Sequence, residues 1–216
     1  MGGTLNAAAV TSPRRRRGKE ARERLLALLL VLPLTPVFAL CAVLIKLEGL
    51  FDRGARGPVF FKEERISRGE VIGLYKFRTL TADALAGLGD GPTHIARLET
   101  QGHLTRAGRL IRSWYLDELP QLWNIVRGDM FLIGTRPYPL DLYAEEMSRG
   151  ITRKRDMPAG LVGPVQSYKG DASVDPLAVD LDYWDAFRTF PAWKLFALDV
   201  RILMRSLKVQ LEHKGI

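Results

Sequence analysis

The chain has 216 residues, with Lys+Arg 32 against Asp+Glu 24, a formal charge of +8 and 47% hydrophobic residues. That length supplies one ordinary globular body with its own core, and the single cysteine, Cys41, excludes an intrachain disulfide. His94, His103 and His213 are too few and too scattered for a Cys/His zinc site, while the positive balance calls for an anionic partner: nucleic acid, a phosphorylated metabolite or anionic lipid.

Residues 1–24 carry seven basic side chains, Arg14 to Arg17, Lys19, Arg22 and Arg24, against Glu20 and Glu23, and read as a flexible basic tail. Residues 25–50 read as a membrane helix, because Leu25 to Ile45 runs twenty-one residues without a charge, about the length that crosses a hydrocarbon core. Three forms compete. A cleaved signal peptide fits poorly, since Leu or Phe stands where small residues are needed around Ala39 to Ala42. A straight span would export one of two basic flanks, Lys46, Arg53, Arg56 and Lys62 being the nearest cations on the far side. Pro33 and Pro36 lie mid-stretch, where each removes a helical hydrogen bond, and Thr35 can lend a hydroxyl to the freed backbone. A helix broken there enters and leaves by one face, and this re-entrant form is the favoured expectation.

Residues 51–216 read as a catalytic body of α/β class resting on the membrane. Val59-Phe60-Phe61 and Val71 to Leu80 read as neighbouring strands around a turn at Ser67-Arg68-Gly69, and residues 81–103 as a mobile excursion. Leu104 to Ser113 is helix-compatible. Asp117 to Val126 reads as a helix with Asp117 at its N-cap, Pro120 in the first turn and Gly128 as its stop. From about 175 to 216 aromatics precede Arg201, Arg205 and Lys208 on one helical face. Helices there can lie flat at the headgroups or pack on the core, and both readings stay open.

No P-loop, dinucleotide fingerprint or nucleophile elbow occurs, so the chemistry falls to carboxylates and arginines. The densest polar cluster is Ser113 to Gln121, followed by Gly128-Asp129-Met130 and Thr135-Arg136-Pro137. A carboxylate at a helix N-terminus stays ionised and usable as a nucleophile, which suits Asp117, and adjacent Glu118 invites a hard cation, Mg²⁺. The plain alternative is that both acids only cap a helix. Arg78, Arg112 and Arg136 are the candidates for phosphate oxygens, provided that they converge.

In chain order, the basic stretch and apolar helix with Thr35-Pro36, Gly57-Pro58-Val59-Phe60-Phe61, Tyr75-Lys76-Phe77-Arg78-Thr79, Gly108 to Ser113, Leu116 to Asn124, Arg127-Gly128-Asp129-Met130 and Gly134-Thr135-Arg136-Pro137 resemble the bacterial sugar transferase family. These are monotopic phosphoglycosyl transferases that prime polyprenol-linked glycan assembly, and the resemblance covers roughly residues 19–210, in the family's small form. It implies transfer of a sugar 1-phosphate from a UDP-sugar to membrane polyprenol phosphate, of the undecaprenyl kind, releasing UMP. That is a first membrane step of glycoconjugate or exopolysaccharide assembly, at the cytoplasmic face of the bacterial inner membrane. Asp117 would attack the β-phosphate to form an aspartyl-phosphosugar, and Glu118 would bind Mg²⁺. Arg78, Arg112, Arg136, Lys76 and Gln166 fall at matched substrate-binding positions, and Thr35 and Pro36 at the break of the membrane helix.

The implied partners are thus the UDP-sugar, the polyprenol phosphate and membrane lipid, with room for a homodimer and no nucleic acid. Three departures stand out: Glu23 replaces an Asp, Thr135 replaces the first proline of Pro-Arg-Pro, and residues 158–170 only approximate the family's segment. The rivals are a non-catalytic membrane scaffold of the same fold, against which the intact Asp117-Glu118 pair argues, and a basic nucleic-acid binder. Against the second, most of the excess charge adjoins an apolar helix, where anionic lipid explains it better.

Overall fold

The computed structural model describes residues 13–87, 98, 101–151 and 153–212. His94, His213, the first twelve residues and most of the expected excursion lie outside them.

Helix α1 runs from Pro13 to Phe51, through Pro33 and Pro36. The helix thus takes in residues 13–24 of the expected tail, and Lys19 and Glu23 find partners in the body. Lys19 Nζ sits 2.6 Å from Glu23 Oε1 and 2.7 Å from Asp199 Oδ2, and the Leu132 N–H donates to Glu23 Oε2 at 2.8 Å. Beyond them Ala27 enters one core cluster and Cys41 and Ile45 another. Glu48 then accepts from the Arg106 and Ala107 N–H groups at 2.7 Å each. Thr35 Oγ1 bonds back to Val31 O at 3.0 Å, between Pro33 and Pro36. Between these anchors the apolar surface is bare: only 11% of the most apolar window is buried, too little for a core helix. One helix is thus long and apolar enough to cross a membrane.

The body is mixed α/β. Strands β1 (Phe60–Ser67) and β2 (Glu70–Phe77) form an antiparallel hairpin, with Ser67 opposite Glu70. Arg68 and Gly69 both have positive φ, as a two-residue hairpin turn that follows the strand twist requires. The hairpin is longer than the apolar run Val59-Phe60-Phe61 suggests, because Lys62 to Arg65 looks like a solvated charge run yet alternates between faces. Helix α2 (Ala82–Ala86) opens the excursion, whose two ends are tied by a Leu80–Leu104 bridge and the Thr81 N–H to His103 O bond.

Helix α3 (Arg106–Ser113) is capped by Thr105 and lies so close to Thr79 that a Cβ on Gly108 would sit 2.2 Å from its carbonyl. A 3-10 turn, Leu116–Glu118, precedes α4 (Gln121–Arg127). The expected helix from Asp117 thus starts later: Pro120 holds the N-cap position and Asp117 lies in the turn before it. Gly128, at φ 87°, ends α4 as expected.

Strands β3 (Phe131–Ile133) and β4 (Gly160–Val162) pair in parallel, with α5 (Leu140–Ser148) and α6 (Arg153–Asp156) between them. Gly134 and Gly160 meet backbone to backbone, where a Cβ on either would clash. After a 3-10 turn, Val165–Tyr168, the chain ends its described course in α7 (Pro176–Thr189) and α8 (Ala192–Leu211). Leu195, Asp199 and Ile202 of α8 are buried, the first and last packing with Phe131, Ile133, Tyr183 and Phe187. Its other face exposes Trp193, Phe196, Val200, Met204, Leu207 and Leu211, an unbroken stripe at helical spacing. Arg201, Arg205 and Lys208 are all exposed on this helix, and Arg205 donates to Ser167 O at 2.9 Å and lies over the Tyr168 ring.

Candidate active site

A cleft of about 840 Å³ opens between the hairpin, the turn after α3, the β3–β4 pair and the last turns of α8. Its position follows from local chain geometry. Helix α3 ends at Ser113, and Tyr115 adopts a left-handed backbone, φ 55° and ψ 22°, uncommon for a residue with a Cβ. That reversal leads directly into the 3-10 turn and brings Asp117 and Glu118 to the cleft, with Asp117 only 6% exposed.

Opposite them Lys76 extends from β2, and Asn124 fixes that strand: it accepts from Tyr75 N–H at 3.0 Å and donates to Gly73 O at 2.8 Å. Arg136 is presented by a segment clamped to β4, where Thr135 donates to Pro158 O through its backbone and its hydroxyl, and Gly160 N–H to Thr135 O at 2.8 Å. Thr135 is 2% exposed, so the hydroxyl replaces the expected proline's rigidity with hydrogen bonds. Gln166 comes from the 3-10 turn after β4 and accepts from the Gly163 N–H.

Of the residues singled out from sequence, Asp117, Glu118, Lys76, Arg112, Arg136 and Gln166 line this one cleft. Arg78 does not. It is 2% exposed and donates to the backbone carbonyls of Pro58 and Leu80 at 2.9 Å and of Ala55. Burial lowers its pKa, with Glu48 opposing. Lys76, two residues earlier, lines the cleft, whereas Arg78 ties three chain segments together through their carbonyls. Asp129 is likewise outside the lining, held by Asn124 Nδ2 at 2.9 Å and facing Arg127 at 3.4 Å.

The cleft also takes in Tyr115, within the polar cluster of the sequence, and Arg65, Arg109, Glu63 and Lys169, which the sequence reading did not select. The available signal was the two-residue period of β1, which places Glu63 and Arg65 on the face of Lys76 once the hairpin register is known. The lining holds six cationic side chains against three carboxylates, an excess suited to an anionic ligand. The lining is also rich in apolar side chains, among them Leu30 and Leu34 of α1, Leu119, and Leu203, Leu207 and Val209 of α8. A phosphorylated head and a hydrocarbon tail can be accommodated together.

Among the described residues no group of three or more His, Cys, Asp or Glu could hold a metal ion unaided. Asp117 and Glu118 nevertheless fit Mg²⁺, which is commonly held by one or two carboxylates together with substrate phosphates and water.

An apolar helix beside a cleft with a carboxylate pair and converging cations defines a membrane-associated enzyme class handling phosphorylated substrates. Residues 14–213 match the family described as bacterial sugar transferase, and the chain belongs to that family. It is a phosphoglycosyl transferase by that membership. It is 35% identical over 163 residues to the uncharacterized sugar transferase EpsL of Bacillus subtilis (strain 168), covering 74% of this chain and 73% of the relative. It is also 31% identical over 203 residues to a UDP-glucose:undecaprenyl-phosphate glucose-1-phosphate transferase of Caulobacter vibrioides, covering 87% and 69%. A UDP-N-acetylgalactosamine-undecaprenyl-phosphate N-acetylgalactosaminephosphotransferase of Aeromonas hydrophila is 31% identical over 200 residues. That match covers 88% of this chain but 43% of the relative, so the chain spans less than half of some curated relatives.

Proposed function

We propose that the protein transfers a sugar 1-phosphate from a UDP-sugar to membrane undecaprenyl phosphate, giving the undecaprenyl diphosphosugar and UMP. The observation that carries the reading is the convergence of Asp117 and Glu118 with Lys76, Arg112 and Arg136 in one cleft that is also lined by apolar side chains of α1 and α8. The printed activities of the relatives agree with it.

In the first step an Asp117 carboxylate oxygen bonds to the β-phosphorus of the donor. The bond from that phosphorus to the bridging oxygen breaks, and UMP leaves with the electron pair. In the second, a phosphate oxygen of the lipid displaces the carboxylate from the same phosphorus, restoring Asp117 and completing the diphosphate. Arg112, Arg136 and Lys76 bind and orient the phosphate oxygens, and their charges oppose the negative charge that gathers as the nucleophile approaches. Mg²⁺, held by Glu118 beside Asp117, would neutralise the diphosphate when bound.

The apolar stretch of α1 is read as re-entrant. Lys19 and Glu23 before it and Glu48 after it are bonded to the same body, and a straight span would put them on opposite sides of the membrane. Pro33 and Pro36 supply the break, and the exposed stripe of α8 lies at the headgroups beside the cleft. The body then faces the cytoplasm, where UDP-sugars are found.

The test is UMP release by the full chain in nanodiscs, with undecaprenyl phosphate and Mg²⁺, across a panel of UDP-sugars. Asp117→Asn should lower turnover with the accepted donor by about 10³-fold or more, and chelation should abolish it. Absence of release with every donor from a folded, membrane-bound sample would favour the non-catalytic scaffold.

A further inference from the structure

The hairpin carries a charged trio, Glu63, Arg65 and Lys76, of which the reaction described above uses only Lys76. On β1, Phe61, Glu63 and Arg65 share a face, and the register sets them opposite Lys76, Leu74 and Ile72. Leu74 and Ile72 are core residues, and Glu63, opposite Leu74, has a side chain with no exposure at all. A carboxylate in such surroundings is costly unless it is paired. Glu63 Oε1 receives the Arg65 guanidinium, and Oε2 faces Lys76 Nζ at 3.1 Å. One buried anion therefore holds two cations, whose side chains keep 16% and 14% of their exposure at the cleft wall.

Those two cations border a polar recess of about 30 Å³ along with Glu118, Gln121, Arg136 and Gln166. That volume is of the size of one water or one ligand oxygen, and most of the recess lining is shared with the larger cleft. The donors around it, three of them cationic, suit an anionic oxygen. A guanidinium has five N–H groups, more than its contact with one carboxylate oxygen uses.

We propose that Arg65 binds an anionic oxygen of the donor diphosphate in this recess, and that Glu63 is a positioning residue that holds Arg65 and Lys76 there. The inference rests on the UDP-sugar reading of the cleft and adds two residues to it. Glu63→Gln keeps the size and one acceptor but removes the charge between the cations, which then repel and draw apart. Arg65→Gln removes the phosphate donor itself. Arg65→Lys keeps the charge without the fork and rescues in part.

The experiment measures KM and kcat for the accepted UDP-sugar with the full chain in nanodiscs, and separately the Kd of UDP by calorimetry, which needs no turnover. For Arg65→Gln and Glu63→Gln, KM and Kd should rise about tenfold while kcat stays within about threefold. Glu64→Gln, exposed on the opposite face of β1, should match the unsubstituted chain. The proposal is overturned if both cleft-face variants lower only the unfolding temperature and leave KM and Kd unchanged. Should Glu63→Gln fail to fold, Arg65→Gln decides alone, and unchanged UDP affinity overturns the proposal. An unsubstituted chain that neither binds UDP nor releases UMP would instead overturn the UDP-sugar reading itself.

Discussion

Arg78 and Arg136 look alike in the sequence, each an arginine in a short motif ahead of apolar residues, and burial separates them. Arg136 is exposed at the cleft, whereas Arg78 is enclosed and spends its donors on Ala55, Pro58 and Leu80 carbonyls. Arg78→Ala should therefore act on stability. Three carbonyls lose a charged donor, and the expected cost is about 3 kcal/mol or more, read by denaturant unfolding. A normal melt with a raised donor KM would instead return Arg78 to the site. Glu23 gives a second test. Burial raises its pKa above 4.5, with the Lys19 charge opposing and Asp199 adding to the rise. The folded state then binds its proton more tightly than the unfolded one, so its contribution is complete below about 4.5 and is lost as pH rises through the folded value. The unfolding-temperature advantage of the natural chain over Glu23→Gln should shrink from acid pH toward neutrality, and a gap that is constant or widens would contradict this.

Among the elements, α1 was the most legible, because its apolar length and its two prolines are local properties. What stayed hidden is the anchoring of its first turns: Lys19 meets Asp199 across 180 residues of sequence, a separation that no local pattern encodes. The start of α4 was misplaced for a related reason. Asp117 satisfies every local rule for an N-cap, but the left-handed Tyr115 turns the chain into a 3-10 segment first. The carboxylate pair was legible from its composition; that Arg65 lines the same cleft required the hairpin register. For α1 the expected topology is testable with single cysteines at positions 17 and 64 in a Cys41→Ser background. An impermeant maleimide should reach neither in intact spheroplasts and both after permeabilisation. Pro33→Ala with Pro36→Ala restores hydrogen bonds whose loss costs about 3 kcal/mol per proline, and should let a fraction of chains span, exposing one position outside. Labelling of the two positions from opposite sides in the unsubstituted chain would contradict the re-entrant form.

At the scale of the molecule, two different forces bring the two substrates together. The stripe of α8 and the bare surface of α1 are apolar, so attachment to lipid rests mainly on buried area and is little weakened by salt. The cleft is cationic by six to three and open to solvent at one end, so its pull on a dianionic donor is screened. Raising NaCl from about 0.1 M to about 1 M shortens the screening length from about 10 Å to about 3 Å, which weakens the pull of every cation that does not touch the phosphates directly. The expected outcome is a donor KM that rises about fivefold over that range, while the fraction of protein sedimenting with lipid vesicles stays constant. The two readings come from the same samples, so loss of the protein from the membrane cannot pass for weaker donor binding. A flat KM would mean that only the contacts nearest the phosphates matter and that the wider cationic lining contributes nothing. Release from the vesicles at high salt would place the basic residues of α1, and not its apolar surface, in charge of attachment.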